Sequence, residues 1–286
     1  MARPSPAWYD AQYNNRARVP EFPEVLRDWS ESSERARAEA GVVLDVAYGD
    51  DDSERLDIFR TARPNAPILV YIHGGYWRAL DKRDQSFVAT PLVAAGALVV
   101  VPNYALCPAV SVEHITLQLV RALAWVHRHA AAHGGDASRI VVAGHSAGGH
   151  LAALLLNCDW RAVVADLPAD LVKGALSISG LFELEPLRHA PFLAPDLKLT
   201  PASARRLSPA LMPAPKHGRL AAGVGGDESE ESQRQNALIA QAWGARTVTA
   251  CEAIPGFNHL TVLKEIARPG SRVHALALEL LGCEPR

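Results

Sequence analysis

The chain has 286 residues, 49% of them hydrophobic and 21% charged, with a formal net charge of −2. That length supports one large core within a single domain spanning residues 1–286. So even a charge balance argues against nucleic acid or an anionic membrane as the main partner. The N-terminus, Met-Ala-Arg-Pro-Ser-Pro-Ala-Trp-Tyr-Asp, lacks the apolar core of a signal peptide. The longest apolar run, Leu92–Val101, is too short to span a bilayer, which takes about 20 residues. The expected location is the cytoplasm.

Residues 1–40 carry Trp8, Tyr9, Tyr13, Phe22, Leu26 and Trp29 among charges, a pattern that predicts an N-terminal arm of one or two helices packed on the main domain. Eight apolar, β-branched runs follow: Val42–Tyr48, Arg55–Phe59, Ile68–Ile72, Ala97–Pro102, Ile140–Ala143, Ala175–Ile178, Leu220–Val224 and Thr247–Ala253. The first two are interrupted by Asp45, Glu54, Arg55 and Asp57, and Gly49-Asp50-Asp51-Asp52-Ser53 between them is turn-like. They read as an antiparallel hairpin at a sheet edge. The other six are apolar almost throughout, as strands buried on both faces of a parallel sheet are.

Helices are expected in the gaps, at Val112–His133 with Gly134-Gly135 closing it, Ala147–Asn157, Ser229–Trp243 and Val273–Leu281. Strand–helix alternation of this kind predicts a mostly parallel eight-stranded sheet with helices on both faces. Residues 181–216 break the alternation. They hold seven prolines between two core strands, and read as a small cap insertion.

Gly144-His145-Ser146-Ala147-Gly148 matches Gly-x-Ser-x-Gly. The match follows a predicted strand and opens a predicted helix, the context of a nucleophile elbow. Small neighbours let the backbone turn sharply and hold the serine in a strained conformation. The helix N-terminus then offers amides and positive potential to a developing oxyanion.

Directly after the third strand stands His73-Gly74-Gly75-Tyr76-Trp77. Its position predicts backbone oxyanion donors at Gly74 or Gly75, working with Ala147. A serine hydroxyl needs a base, and in chain order an acid and then a histidine should follow it. Asp227, in Gly225-Gly226-Asp227-Glu228, and His259, in Phe257-Asn258-His259-Leu260, sit after late strands, where a parallel sheet gathers its functional groups. Glu228 is the alternative acid. His217 and His274 fit the role less well, one preceding a strand and the other lying within a helix. His150, one helical turn beyond Ser146, reads as a packed or hydrogen-bonded histidine.

The cysteines Cys107, Cys158, Cys251 and Cys283 have no Cys-x-x-Cys or Cys/His ligand spacing. Free thiols are expected, with no disulfide framework, and the mechanism calls for no metal or other cofactor.

At these motifs the chain resembles arylformamidases (kynurenine formamidases) of the α/β-hydrolase fold, a group close to hormone-sensitive-lipase-like esterases. The resemblance is carried by His73-Gly-Gly-Tyr-Trp77, Gly144-His-Ser-Ala-Gly-Gly-His-Leu151 and Gly226-Asp-Glu-Ser-Glu-Glu-Ser-Gln-Arg-Gln235. Tyr9-Asp-Ala-Gln-Tyr-Asn-Asn-Arg16 and Asn258-His-Leu-Thr-Val-Leu263 extend it over most of the chain. Neighbouring esterases carry His-Gly-Gly-Gly, whereas Tyr76 stands here at the third glycine.

The resemblance implies a small-molecule substrate, N-formylkynurenine, cleaved to kynurenine and formate through an acyl-enzyme on Ser146. Tyr76 or Trp77 would stack on an aryl ring. A carboxylesterase for short acyl chains is the second reading, and a non-catalytic binding member of the fold the third. Nothing in the sequence marks an assembly, and a homodimer is the expectation from frequency alone.

Overall fold

The computed structural model describes residues 4–283; residues 1–3 of the expected arm and 284–286 of the expected domain lie outside the described residues. Eight strands form one sheet: β1 (Val42–Ala47), β2 (Arg55–Phe59), β3 (Ala66–Ile72), β4 (Leu98–Pro102), β5 (Gly135–His145), β6 (Val172–Ile178), β7 (Arg219–Gly225) and β8 (Val248–Ile254). Their order is β1-β2-β4-β3-β5-β6-β7-β8. The β1–β2 and β2–β4 pairs are antiparallel, and every later pair is parallel. The edge hairpin and the parallel body therefore fall where the charge pattern of the strands placed them.

Six of the helices matter here: α1 (Pro6–Tyr13), α2 (Phe22–Arg37), α3 (Val112–His129), α4 (Ala147–Leu156), α5 (Glu230–Trp243) and α6 (Arg272–Leu281). Their boundaries follow local chemistry. Ser111, Ser229 and Ser271 each accept a backbone N–H at the N-terminus of α3, α5 and α6. A short 3₁₀ turn, Ala130–His133, continues α3 and stops at Gly134, which takes the left-handed conformation.

Alternation along the strands builds two cores. Ile68, Val70 and Ile72 of β3 join Leu98, Val100, Ile140 and Val142 on one face, with α3, α4 and α5 packed over them. Leu69 and Tyr71 join Val99, Val101, Val141 and Ala143 on the other, with α2 and α6. Among the described residues no helix is long and apolar enough to cross a membrane. All four cysteines are free thiols; Cys107 and Cys283 are buried and Cys251 is exposed.

The arm is more deeply built in than its composition suggested. The Tyr13 hydroxyl donates to Glu231 of α5 at 2.5 Å, and the Tyr76 hydroxyl donates to the Tyr13 carbonyl at 2.7 Å. At the far edge Asp57 of β2, with a fully buried carboxylate, receives Lys82 Nζ at 2.7 Å, pairs with Arg37 of α2 and accepts the Asp45 amide at 2.9 Å. A buried carboxylate is tolerable only when its oxygens are matched in this way.

Removing Asp57 leaves Arg37 without its carboxylate and leaves buried Lys82 with only the half-exposed Asp45, at 2.5 Å. Asp57→Ala is therefore expected to cost about 3–5 kcal/mol, the penalty for breaking a buried pair. Urea denaturation followed by circular dichroism measures it; a loss below about 1 kcal/mol would mean that the arm and the edge hairpin are anchored elsewhere.

Candidate active site

Residue 146 occupies the junction of β5 and α4 with φ 56° and ψ −116°. A non-glycine residue there is strained, and such strain persists only where the surroundings enforce it. They do so here. The Ser146 amide donates to the Ile178 carbonyl of β6 at 2.7 Å. Gly148 lies so close to β3 that a Cβ on it would sit 2.0 Å from the Ile72 carbonyl oxygen. Only glycine lets α4 approach that strand, and the approach forces the chain to turn at Ser146.

Ser146 and His259 line one cavity of about 300 Å³. His259 sits in the loop after β8 and is held twice. Its Nδ1 lies 2.7 Å from Glu228 Oε2, and its carbonyl accepts from His145 Nε2 at 2.7 Å. With a carboxylate at Nδ1, that nitrogen carries the proton, and Nε2 is left as the acceptor.

The carboxylate is Glu228, not the expected Asp227. Asp227 points to solvent from the turn after β7, whereas the Glu228 side chain is fully buried. The turn explains the choice. The Glu228 amide closes it by donating to the Gly225 carbonyl at 3.1 Å, which turns the fourth residue, rather than the third, inward. Besides His259, Glu228 accepts the Gly225 amide at 2.8 Å and the Ser179 hydroxyl. Burial alone would raise its pKa. Electrostatic attraction to the His259 ring and the hydrogen bond with it, with the bonds from Ser179 and Gly225, outweigh burial and hold it below the ordinary glutamate value.

The two glycines after β3 differ. The Gly74 amide is already spent on Gln85 Oε1 at 3.2 Å, which also accepts the Tyr71 hydroxyl at 2.7 Å, so Gly74 is a support rather than the expected donor. Gly75 faces the cavity with φ +107°, and a Cβ there would meet the Ala79 carbonyl oxygen at 2.0 Å. Ala147 opens α4, where the first amides have no acceptor within the helix. Gly75 at the cavity and Ala147 at the start of α4 are thus the two remaining candidates among the expected donors.

The aromatic pair also separates. Tyr76 lines the cavity, edge-on to Phe192 with 5.9 Å between ring centres. Trp77, expected at the substrate, is fully buried and packs edge-on against His150, 4.9 Å between centres. Both residues have positive φ, 50° and 57°, and this left-handed step throws consecutive side chains to opposite sides of the loop. His150 is the packed histidine its position suggested, donating from Nε2 to the Leu207 carbonyl at 2.7 Å.

The walls hold the larger departure. Residues 181–216 form short helical turns that contribute Phe192 and Asp196 to the cavity. The N-terminal arm contributes more: Asn14, Asn15, Arg16, Phe22, Leu26 and Trp29. The arm, read from the sequence as packing, forms much of the mouth. Ser179, Gln85 and His145, which the motifs left unassigned, hold Glu228, the glycine loop and His259 respectively. Ser179 itself has φ 52°, strain that no sequence pattern announces.

Comparisons with known proteins agree with the fold. Residues 69–217 match the model of a family described by the alpha/beta hydrolase fold, and the chain belongs to that family. Within it, kynurenine formamidase of Salmo salar is 30% identical over 88% of this chain and 86% of its own. Esterase LipQ of Mycobacterium tuberculosis is 36% identical over 41% of this chain and 30% of its own. A solved structure from a Silicibacter species, assigned as a candidate thioesterase, superposes with a TM-score of 0.81 at 30% identity over 92% of this chain and 96% of that one. The protein is accordingly a hydrolase.

Three buried histidines set the acid limit of the fold. Burial pushes His145 down to about 3 and His73 and His150 to about 4, so each stays neutral in the native state. The unfolded chain protonates all three below about pH 6.5. Their contribution is therefore complete above pH 6.5 and falls as pH drops from there towards 4, by about 1.4 kcal/mol per pH unit for each histidine. Comparing urea midpoints from pH 7 to 4.5, His150→Gln should show a shallower decline than the wild type. Parallel curves would show that His150 does not resist protonation.

Proposed function

We propose that this hydrolase cleaves aryl formamides, with N-formylkynurenine the best candidate substrate, through a formyl-enzyme on Ser146. The observation that carries the reading is the His259–Glu228 pair beside Ser146 at a cavity walled by Trp29, Phe22, Tyr76 and Phe192. A small aryl group suits a cavity of this volume and lining. The similarity to a kynurenine formamidase along nearly the whole chain supports the same substrate class.

Ser146 Oγ attacks the formyl carbon as its proton passes to His259 Nε2. Glu228 holds the imidazole in the correct tautomer and stabilises the imidazolium that forms. The carbonyl oxygen, now negative, rests on the amides of Gly75 and Ala147. His259 returns the proton to the departing aryl nitrogen, and the C–N bond breaks to release the amine. Water, deprotonated by the same imidazole, then attacks the formyl ester, releasing formate and restoring Ser146.

A carboxylesterase reading uses the same machinery, and similarity to an esterase over part of the chain favours keeping it as the alternative.

Turnover of N-formylkynurenine is measured beside p-nitrophenyl acetate, for the wild type and Ser146→Ala. Much higher kcat/KM on the formamide, abolished in the variant, is expected. Turnover of the ester alone would transfer the reading to the carboxylesterase, and activity surviving in Ser146→Ala would refute the mechanism. Between the adjacent carboxylates, Glu228→Gln should lower kcat by about 10³–10⁴, the effect of losing the orienting acid of a triad. Asp227→Asn should leave kcat within about twofold, as an exposed side chain away from the reacting groups does. The reverse ranking would restore Asp227 as the acid.

A further inference from the structure

Among the described residues that line the cavity, Arg16 is a cation with no hydrogen-bonded or ion-paired partner. Two guanidiniums line it, and they are differently placed. Arg78 is spoken for: it pairs with Asp196, donates to the Phe192 carbonyl at 2.7 Å and lies over the Phe192 ring. Arg16 lies 4.8 Å from the centre of the Phe22 ring and, among the described residues, meets no carboxylate or carbonyl within bonding distance. Partial burial and the nearby charge of Arg78 both act against its positive form, lowering its pKa from the usual value with no anion to offset them. With Asp196 cancelling Arg78, the charged residues of the lining leave one unmatched positive charge, and it stands at the aromatic wall.

We propose that Arg16 is a specificity-determining residue that binds a carboxylate carried on the aryl portion of the acyl donor, so that the cavity selects carboxylate-bearing aryl substrates over counterparts that lack one. This rests on the aryl-formamide reading and adds to it a named partner for the charge. The guanidinium presents several N–H donors in a plane, the arrangement that grips a carboxylate through two parallel hydrogen bonds. The Phe22 face beneath it restrains the side chain and contributes a cation–π contact. The residue belongs to the arm, which Tyr13 and Tyr76 tie to α5 and to the glycine loop. A substrate bridging Arg16 and Ser146 would therefore span from the arm to the catalytic floor, with its ring between the aromatic walls.

The test is the ratio of kcat/KM for a carboxylate-bearing substrate to that for its neutral counterpart. N-formylkynurenine is paired with formanilide, and 3-carboxyphenyl acetate with phenyl acetate. For Arg16→Gln the ratio should fall by about tenfold or more, the loss of one charge-assisted hydrogen bond, and the fall should lie in KM. Arg16→Lys should recover part of it, because the charge returns without the bidentate geometry. The wild-type ratio should also shrink as salt is raised. A ratio within about twofold of wild type in Arg16→Gln would overturn the proposal. If the wild type turns over neither formamide, the formamidase reading fails, and the ester pair still decides whether Arg16 selects anions.

Discussion

The site depends on how closely α4 is drawn against β3. Gly148 meets the Ile72 carbonyl with no room for a side chain, and that contact forces the chain through its turn at Ser146. The turn places the hydroxyl at the cavity and starts α4 beneath it, so that the Ala147 amide is left without a helical acceptor. Strain at one residue thus sets both the position of the Ser146 hydroxyl and the free amide of Ala147, the proposed nucleophile and one proposed oxyanion donor. The cost, on the order of 1–3 kcal/mol for such a backbone, is spread over a parallel sheet whose central strands are buried throughout.

A second constraint is desolvation. Glu228, His145, His73 and His150 are all taken out of water, and each keeps one charge state only because of its neighbours. Glu228 remains ionised because three donors converge on it. His145 remains neutral and uses one ring nitrogen to fix the His259 backbone. Charge is thereby confined to the Glu228 carboxylate behind His259, where in the proposed mechanism it stabilises an imidazolium. At the mouth the logic changes: among the described residues of the lining, Arg16 is a guanidinium with no carboxylate partner.

The sheet, the edge hairpin and the long helices were legible in the sequence because each is repeated in several residues at once. The continuous apolar runs of β3, β4 and β5, the charges that interrupt β1 and β2, and Gly134-Gly135 after α3 all point one way. Ser146, His259 and the glycine loop were legible because motif and chain order coincide. The failures share another cause, since each turned on one local rotation. Which of Asp227 and Glu228 faces inward is decided by where a four-residue turn closes, and which of Tyr76 and Trp77 faces the cavity by two positive φ angles. The loss of Gly74 as a donor depends on Gln85, a residue distant from any motif. The role of the arm was hidden because aromatic residues that line a cavity and those that fill a core have the same composition.

The central claim is that Ser146, and no other nucleophile, carries the acyl group in this cavity. Intact-mass and peptide mass spectrometry after reaction with an aryl phosphonate addresses it most directly, since such a reagent is trapped by a serine activated by its histidine. The account predicts one adduct per chain, on the peptide containing Ser146, forming in step with the loss of hydrolysis. A phosphonylated residue elsewhere, or complete inactivation with Ser146 unmodified, would contradict it.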